Sequence, residues 1–402
     1  MSNILKILDN LIKNREKELQ NWFNNQYEEH IPLFYNSVDI RFSGNKICPI
    51  DTNIFPAGFN NLSDNEILVA QNQVNNYLKD QYPNTKNILL ITESHTRNQK
   101  YQDNIIILYH FFKILGYEIH MGHIDEGIDN DIKFLNHENE EYVIYKCKNH
   151  EDKIIIKENI TPDLIIVNND FSSGSPKILK NIQQPIIPPT GFGWYKRTKM
   201  NHFNAYNYVA KKFALEFDFP AELITTEIGL CKKINFKERK GLECIAIGIE
   251  KTLTRIKENY KKLNIPQKPY VFIKANRGTY GMGIMTANHP DDIYEINKKT
   301  RNKMNIIKQS AVNTEVIIQE GIETQQKIDN NPSEETVYLI NTNPIGTLLR
   351  YNDKKDNKAN LNSTGMQFSQ NKNYLDKDYK EILFLIAKLA TLASHMEDKF
   401  YE

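Results

Sequence analysis

VFIKANRGTYGMGIMT, residues 271–286, places an apolar run, a lysine and three glycines within sixteen positions. YVFIKAN (270–276) reads as a buried strand that carries Lys274 at its end, and Ile284-Met285 begin a second apolar run. Between them, Gly278, Thr279, Tyr280, Gly281 and Gly283 make a loop that can bring backbone N–H groups close to phosphates. The strand lysine would add a point charge. No Gly-Lys-Ser/Thr closes the loop, so it is not a Walker A sequence. The GxxGxG spacing runs into a strand, whereas the dinucleotide fingerprint opens a helix. Taken alone, the loop also fits an ordinary glycine-rich hairpin.

The downstream order narrows that choice. TEVIIQEG (314–321) is a second buried strand, ETVYLIN (335–341) and PIGTLLRYN (344–352) read as a hairpin, and Asn360-Leu361-Asn362 follow in a polar stretch. This order resembles that of the ATP-grasp fold. The resemblance implies that the chain around Gln319 and Glu320 forms an adenine hinge and that Glu323 holds ribose hydroxyls. It also implies that Arg350, with Asn362, steadies the transferred phosphoryl group. Lys199, in PPTGFGWYKRTKMNHF (188–203), would be a second phosphate-contacting lysine.

The acidic and acidic-x-Asn pattern expected late in such a domain stands near the start instead. SVDIRFSGNKICPIDTNIFPAGFN (37–60) reads as a hairpin turned at Ser43-Gly44-Asn45, with Asp39 on its first strand and Asp51-Thr52-Asn53 on its second. Residues 51 and 53 share one strand face, so both can reach one hard cation through oxygen. The expectation is an α/β, ATP-grasp-like ligase, circularly permuted, with Asp39, Asp51 and Asn53 as Mg²⁺ ligands. A plain surface hairpin whose Asp and Asn serve turns is the alternative.

Residues 3–23 carry apolar side chains at helical spacing and read as one amphipathic helix. From 86 onward strands and helices alternate: 87–92, a helix over 101–116, then strands near 117–121, 142–146, 153–157, 163–170 and 184–189. That pattern predicts an open, Rossmann-like sheet with a site at its carboxyl edge. Residues 194–263 read as mostly helical, and a last helix runs from about 377 to 400. The expected organisation is 1–84 (helix plus metal-binding hairpin), 85–193 (open α/β substrate domain) and 194–402 (nucleotide-binding domain). At the sheet edge, ITESHTRNQKY (91–101) offers Arg97 as a bidentate carboxylate clamp, or else caps the next helix. Asn168-Asn169-Asp170 is placed similarly. Arg41, Arg97 and Asn169 are the candidates for amino-acid carboxylates.

Lys plus Arg number 51 and Asp plus Glu 50, a net charge of +1 that argues against a nucleic-acid or polybasic membrane surface. The four cysteines are scattered without CxxC or paired Cys/His spacing, which disfavours a zinc site or disulfide framework. With no apolar run long enough to span a bilayer and no secretory pattern at the start, a cytoplasmic enzyme of small substrates is expected.

Several segments together, VDIRFSGNKICPIDTNIFPAGFNNL (38–62), ESHTRN (93–98), NNDFSSG (168–174), PPTGFGWYKRTKMNHF and the glycine-rich stretch, resemble one family. It is the proteobacterial glutamate–cysteine ligase family of the iron-oxidiser type. The resemblance implies ATP- and Mg²⁺-dependent joining of the L-glutamate γ-carboxylate to L-cysteine through an acyl phosphate, the first step of glutathione synthesis. An ATP-grasp ligase with other amino-acid or peptide substrates is the nearest rival. A nucleotide-binding module without catalysis is the rival of another class.

Overall fold

Alternation of side chains makes Tyr35–Phe42 and Ile47–Asn53 an antiparallel hairpin, turned at Ser43–Lys46. The computed structural model describes residues 2–28, 33–94, 98–157, 159–278, 283–306, 312–369 and 376–400. In the first strand Ser37, Asp39 and Arg41 face one way and Val38 and Ile40 the other. The apolar pair joins Val337, Leu339 and the C-terminal helix Lys377–His395 in one core. The hairpin is not a surface flap. Its first strand pairs with Asn331–Ile340, which pairs with Asn343–Tyr351, so the two ends of the chain build one antiparallel sheet.

The start of the chain forms two helices rather than one, Asn3–Asn14 and Glu16–Tyr27. Arg15 between them leaves helical backbone (φ −127°, ψ 30°). Ile4, Leu8 and Leu11 of the first helix and Leu19 and Phe23 of the second reach the same core, one apolar stripe divided between two helices.

A second sheet runs in the order Ile186–Ile187, Leu164–Asn168, Asn87–Thr92, Glu118–His123, Glu141–Lys146, Ile132–Leu135. All pairings but the last are parallel. Its central strands are apolar on both faces, as a sheet covered on both sides requires. The edge strand Ile132–Leu135 had no sequence reading, because alternate exposure of Lys133 and Leu135 leaves only two inward residues to signal it. Asn98 caps the helix Gln99–Ile114, its Oδ1 accepting from Tyr101 N at 3.3 Å.

The third sheet is antiparallel: Ile228–Lys232, Glu315–Glu320, Val271–Ala275, Ile284–Ala287, backed by the helix Leu242–Lys262. Residues 194–263 are therefore not helical throughout. Ile228–Lys232 is a short, half-exposed edge strand containing Gly229, and a helical pattern on both sides hid it. The glycine-rich loop leaves Val271–Ala275 and returns as the antiparallel Ile284–Ala287, as its spacing predicts.

Candidate active site

The strand period decides which side chains of the two antiparallel sheets meet. From the large sheet, Asp39, Arg41, Asp51, Glu334, Thr336 and Arg350 project together; from the third sheet come Lys274 and Gln319. Lys199 enters from the first turn of the helix Lys199–Glu216, which Thr198 caps through Asn201 N. The backbone N–H of Lys199 also donates to Asn276 O at 2.8 Å, tying this helix to the root of the glycine-rich loop.

Arg350 bridges two carboxylates. Its Nη2 donates to Asp39 Oδ1 at 2.8 Å and to Thr336 Oγ1 at 3.0 Å, and its Nη1 donates to Glu334 Oε1 at 3.0 Å. Its Nε is buried with no partner among the described residues. The second oxygen of Glu334 accepts from Arg41 Nε at 2.6 Å, and Arg41 donates further to Ile322 O (3.2 Å) and Ala359 O (2.7 Å). Burial pushes Asp39 above the usual carboxylate range against the opposing pull of Arg350, and Glu334 and Asp51 add to the rise.

Lys199 Nζ lies 2.5 Å from Asp51 Oδ1. Burial alone would raise Asp51, but Lys199, Lys274 and Arg197 outweigh it and bring its carboxyl down to about 2. Lys274 Nζ donates to Ile50 O at 2.9 Å and to Gln319 Oε1 at 2.8 Å. Burial lowers Lys274 to about 7, helped by Lys199 and Arg41 and resisted by Asp51. Asp39, Asp51, Lys199, Lys274, Gly278 and Arg350 line a single pocket. Gly278 adopts φ 101°, a left-handed backbone where glycine is favoured.

A cavity of about 260 Å³ adjoins this pocket, and Asp39, Arg350 and Asn362 line both. Asn53 lines that second cavity. Glu320 turns its carboxylate to Lys46 and to Glu227 N (3.0 Å). Glu323 is half-buried beside Tyr270. Asn169 closes a local turn, accepting from Phe171 N at 2.9 Å and donating to Thr92 O at 3.2 Å, and it lines a third cavity at the carboxyl edge of the parallel sheet. Gly283 is described at the foot of the loop, its carbonyl accepting from Ala275 N at 3.1 Å. Arg97, Thr279, Tyr280 and Gly281 lie outside the described residues.

Sequence reading passed over Glu334, because NNPSEE (330–335) has the composition of a turn although the strand begins at Asn331, and over Thr336, a lone hydroxyl inside the expected strand 335–341. It also passed over a buried triad. Arg197 Nε donates to Glu397 Oε2 at 2.9 Å and its Nη2 to Oε1 at 2.8 Å, while His202 Nδ1 sits 2.7 Å from Oε1. Arg197 Nη1 also holds Thr52 O at 2.6 Å, which fixes the backbone beside Asp51. No local pattern announces a partner some 200 positions away.

Among the described residues no group of three His, Cys, Asp or Glu side chains is gathered closely enough to hold a metal by itself. Asp39 and Asp51 are nonetheless direct register partners on one sheet face, and the repulsion that raises Asp39 comes from Glu334 and Asp51. A hard cation that also takes phosphate oxygens fits such a pair.

The sequence signature of the family described as glutamate-cysteine ligase matches residues 9–397. The chain belongs to the glutamate–cysteine ligase family. The match covers the three sheets described above and every site residue named above, and the reaction of that family is the ATP-dependent joining of glutamate to cysteine. In structure the chain is similar to a crystal structure from Methylobacillus flagellatus KT described as a candidate γ-glutamylcysteine synthetase. The TM-score is 0.88 at 30% identity, with 99% of this chain and 97% of that one covered. Fainter likenesses are to a D-alanyl-alanine synthetase A from Vibrio cholerae (TM-score 0.37, 11% identity, 76% and 80% covered) and to a glutathione synthetase-like effector from Globodera pallida (TM-score 0.38, 11% identity, 90% and 79% covered). Those two scores are too low to bear on the reading. No curated protein matches the sequence. Among the described residues no helix is long and apolar enough to cross a membrane.

Proposed function

We propose that this chain activates the γ-carboxylate of L-glutamate with ATP and passes it to the amine of L-cysteine, using the pocket between the two antiparallel sheets for the triphosphate. The observation that carries this reading is the place of Arg350. It sits where the lysine-lined pocket meets the neighbouring cavity, pinned by Asp39 and Glu334, with Nε unpaired among the described residues. A guanidinium fixed between two carboxylates meets the transferring phosphoryl group without having to reorganise.

In this mechanism Lys274, Lys199 and the loop from Gly278 through Thr279, Tyr280, Gly281 and Gly283 steady the phosphates. The γ-carboxylate approaches from the 260 Å³ cavity, where Arg350 and Asn362 cradle the moving group. The carboxylate oxygen attacks the γ-phosphorus and ADP leaves. The amine then attacks the acyl carbon and expels phosphate. Asp39, Asp51 and Asn53 would hold Mg²⁺, which neutralises phosphate charge when bound. The adenine would lie along the backbone of Gln319 and Glu320, since the Glu320 carboxylate is engaged by Lys46, with Glu323 near the ribose.

The test is ADP release with ATP, Mg²⁺ and L-glutamate, with and without L-cysteine, followed by mass analysis. Cysteine-dependent release with a γ-glutamylcysteine mass is expected. Release only with another amino-acid pair would overturn the substrate, and ATP binding without turnover on any pair would overturn catalysis.

A further inference from the structure

Cys231 and Cys244 stand 13 positions apart in no motif that pairs cysteines, yet their Sγ atoms lie 2.8 Å from each other. The fold brings them together. Cys231 is on the edge strand Ile228–Lys232, and strand alternation turns it, with Gly229, toward the helix Leu242–Lys262. Cys244 is in the first turn of that helix, and Gly248 follows one turn later on the same face. A Cβ on Gly248 would fall 2.3 Å from Ile318 Cδ1 and 3.5 Å from Cys231 Sγ, so the missing side chain lets the helix settle close to the sheet.

The two sulfurs differ in access. Cys244 is exposed, whereas Cys231 is buried in the core between helix and sheet. Burial, with Cys244 beside it, raises the Cys231 thiol above its ordinary range. A reagent from solvent therefore meets Cys244 first, with Cys231 in contact behind it. The other two cysteines are set differently. Cys48 and Cys147 are buried, burial pushes both thiols up to about 12, and their sulfurs face the backbone oxygens of Thr225 (3.4 Å) and Tyr145 (4.0 Å).

A disulfide holds its sulfurs at about 2.05 Å, so the 231–244 pair closes into one by moving less than an ångström. One reachable sulfur with a second in contact behind it suits thiol–disulfide exchange. We infer that Cys231 and Cys244 form a reversible disulfide site that takes a small disulfide as its oxidant, Cys244 attacking and Cys231 resolving. The Cys244 thiolate attacks one sulfur of the small disulfide, forming a mixed disulfide and releasing one small thiolate. Cys231 gives its proton to that thiolate and attacks the Cys244 sulfur, which breaks the mixed disulfide and releases the second small thiol. The two protein thiols lose two electrons in all, and the small disulfide gains them. The new bond staples the helix to the edge strand of the sheet that carries Lys274 and Gln319. Neither sulfur lines the phosphate pocket or the cavity beside it, and the site does not rest on the ligase reading.

The test incubates the native full chain with oxidised glutathione, alkylates the remaining thiols, and weighs the intact chain and its peptides. The wild type should lose two of its four thiols, keep no glutathione, and yield a cross-linked peptide pair holding Cys231 and Cys244. Dithiothreitol should restore all four. Cys231→Ala should keep one glutathione on Cys244, and Cys244→Ser should keep its remaining thiols free. The bridged wild type should unfold at a thermal midpoint about 3 °C above the reduced protein, a shift absent from both variants. A wild type that does not react, a glutathione adduct that persists on its Cys244, or a bridge between two chains overturns the inference. So does a 231–244 bridge that lowers the midpoint or leaves it unmoved, since the native fold would then not hold the sulfurs in bonding position.

Discussion

Lys274 offers a measurement that depends on charge rather than on turnover. Its ammonium is buried and lowered to about 7, chiefly by loss of water, with Lys199 and Arg41 adding to the fall. At pH 8 a group with that pKa is protonated in about one molecule in ten. Triphosphate oxygens beside Nζ favour the charged form and should return the pKa toward the ordinary lysine value of about 10.4, where nearly every molecule is protonated. Binding of MgATP at pH 8 should therefore take up about 0.9 proton per site. Calorimetric titration of MgATP into the wild type in buffers of different ionisation enthalpy reads this as a slope. Lys274→Met should abolish the slope, raise the nucleotide KM and cut turnover by about 10²-fold. Normal binding with no slope in the wild type would refute the reasoning. So would the same slope in Lys274→Met, which would assign the proton to another group.

Arg350→Lys keeps one charge but cannot bridge Asp39 and Glu334 together, so kcat should fall by about 10²-fold with little change in the ATP KM; an unchanged kcat in the ADP-release assay would remove Arg350 from the transition state. Asp51 is held at about 2 in the fold against about 3.9 when unfolded, so it adds about 2–3 kcal/mol above pH 4, lost as pH falls through about 2. Urea unfolding should thus show the gap between wild type and Asp51→Asn shrinking from pH 6 to pH 2.5, and an equal gap at both would contradict the assignment. Glu397→Ala leaves Arg197 buried without its partner and should cost about 3–5 kcal/mol in the same assay. A midpoint within error of wild type would show that the C-terminal triad holds nothing in place.

Much of this was legible because it is periodic. The run ending at Lys274 reads as a strand from its apolar residues, and the GxxGxG spacing followed by another apolar run reads as a hairpin rather than a helix start. Alternation in the N-terminal hairpin places Asp51 and Asn53 on one face before any partner is known. Periodicity falls silent where a segment is short or edge-exposed, as at Ile228–Lys232 and Ile132–Leu135. It also misleads where one apolar stripe is divided between two helices, as at Arg15.

The harder failure concerns partners. Arg41 and Arg350 look alike in sequence, each in an apolar strand beside polar residues, and both were candidates for charge chemistry. Glu334 separates them. One of its oxygens holds Arg41, whose Nη1 and Nη2 donate to Ile322 O and Ala359 O, and the other helps hold Arg350, whose Nε is unpaired among the described residues. Both arginines line the phosphate pocket, and they differ in how many of their nitrogens the fold engages. That distinction rests on a contact between positions 41 and 334, set by the pairing of Tyr35–Phe42 with Asn331–Ile340 across almost the whole chain. A strand pattern tells which face a side chain takes, whereas only the pairing of strands tells which charges share that face.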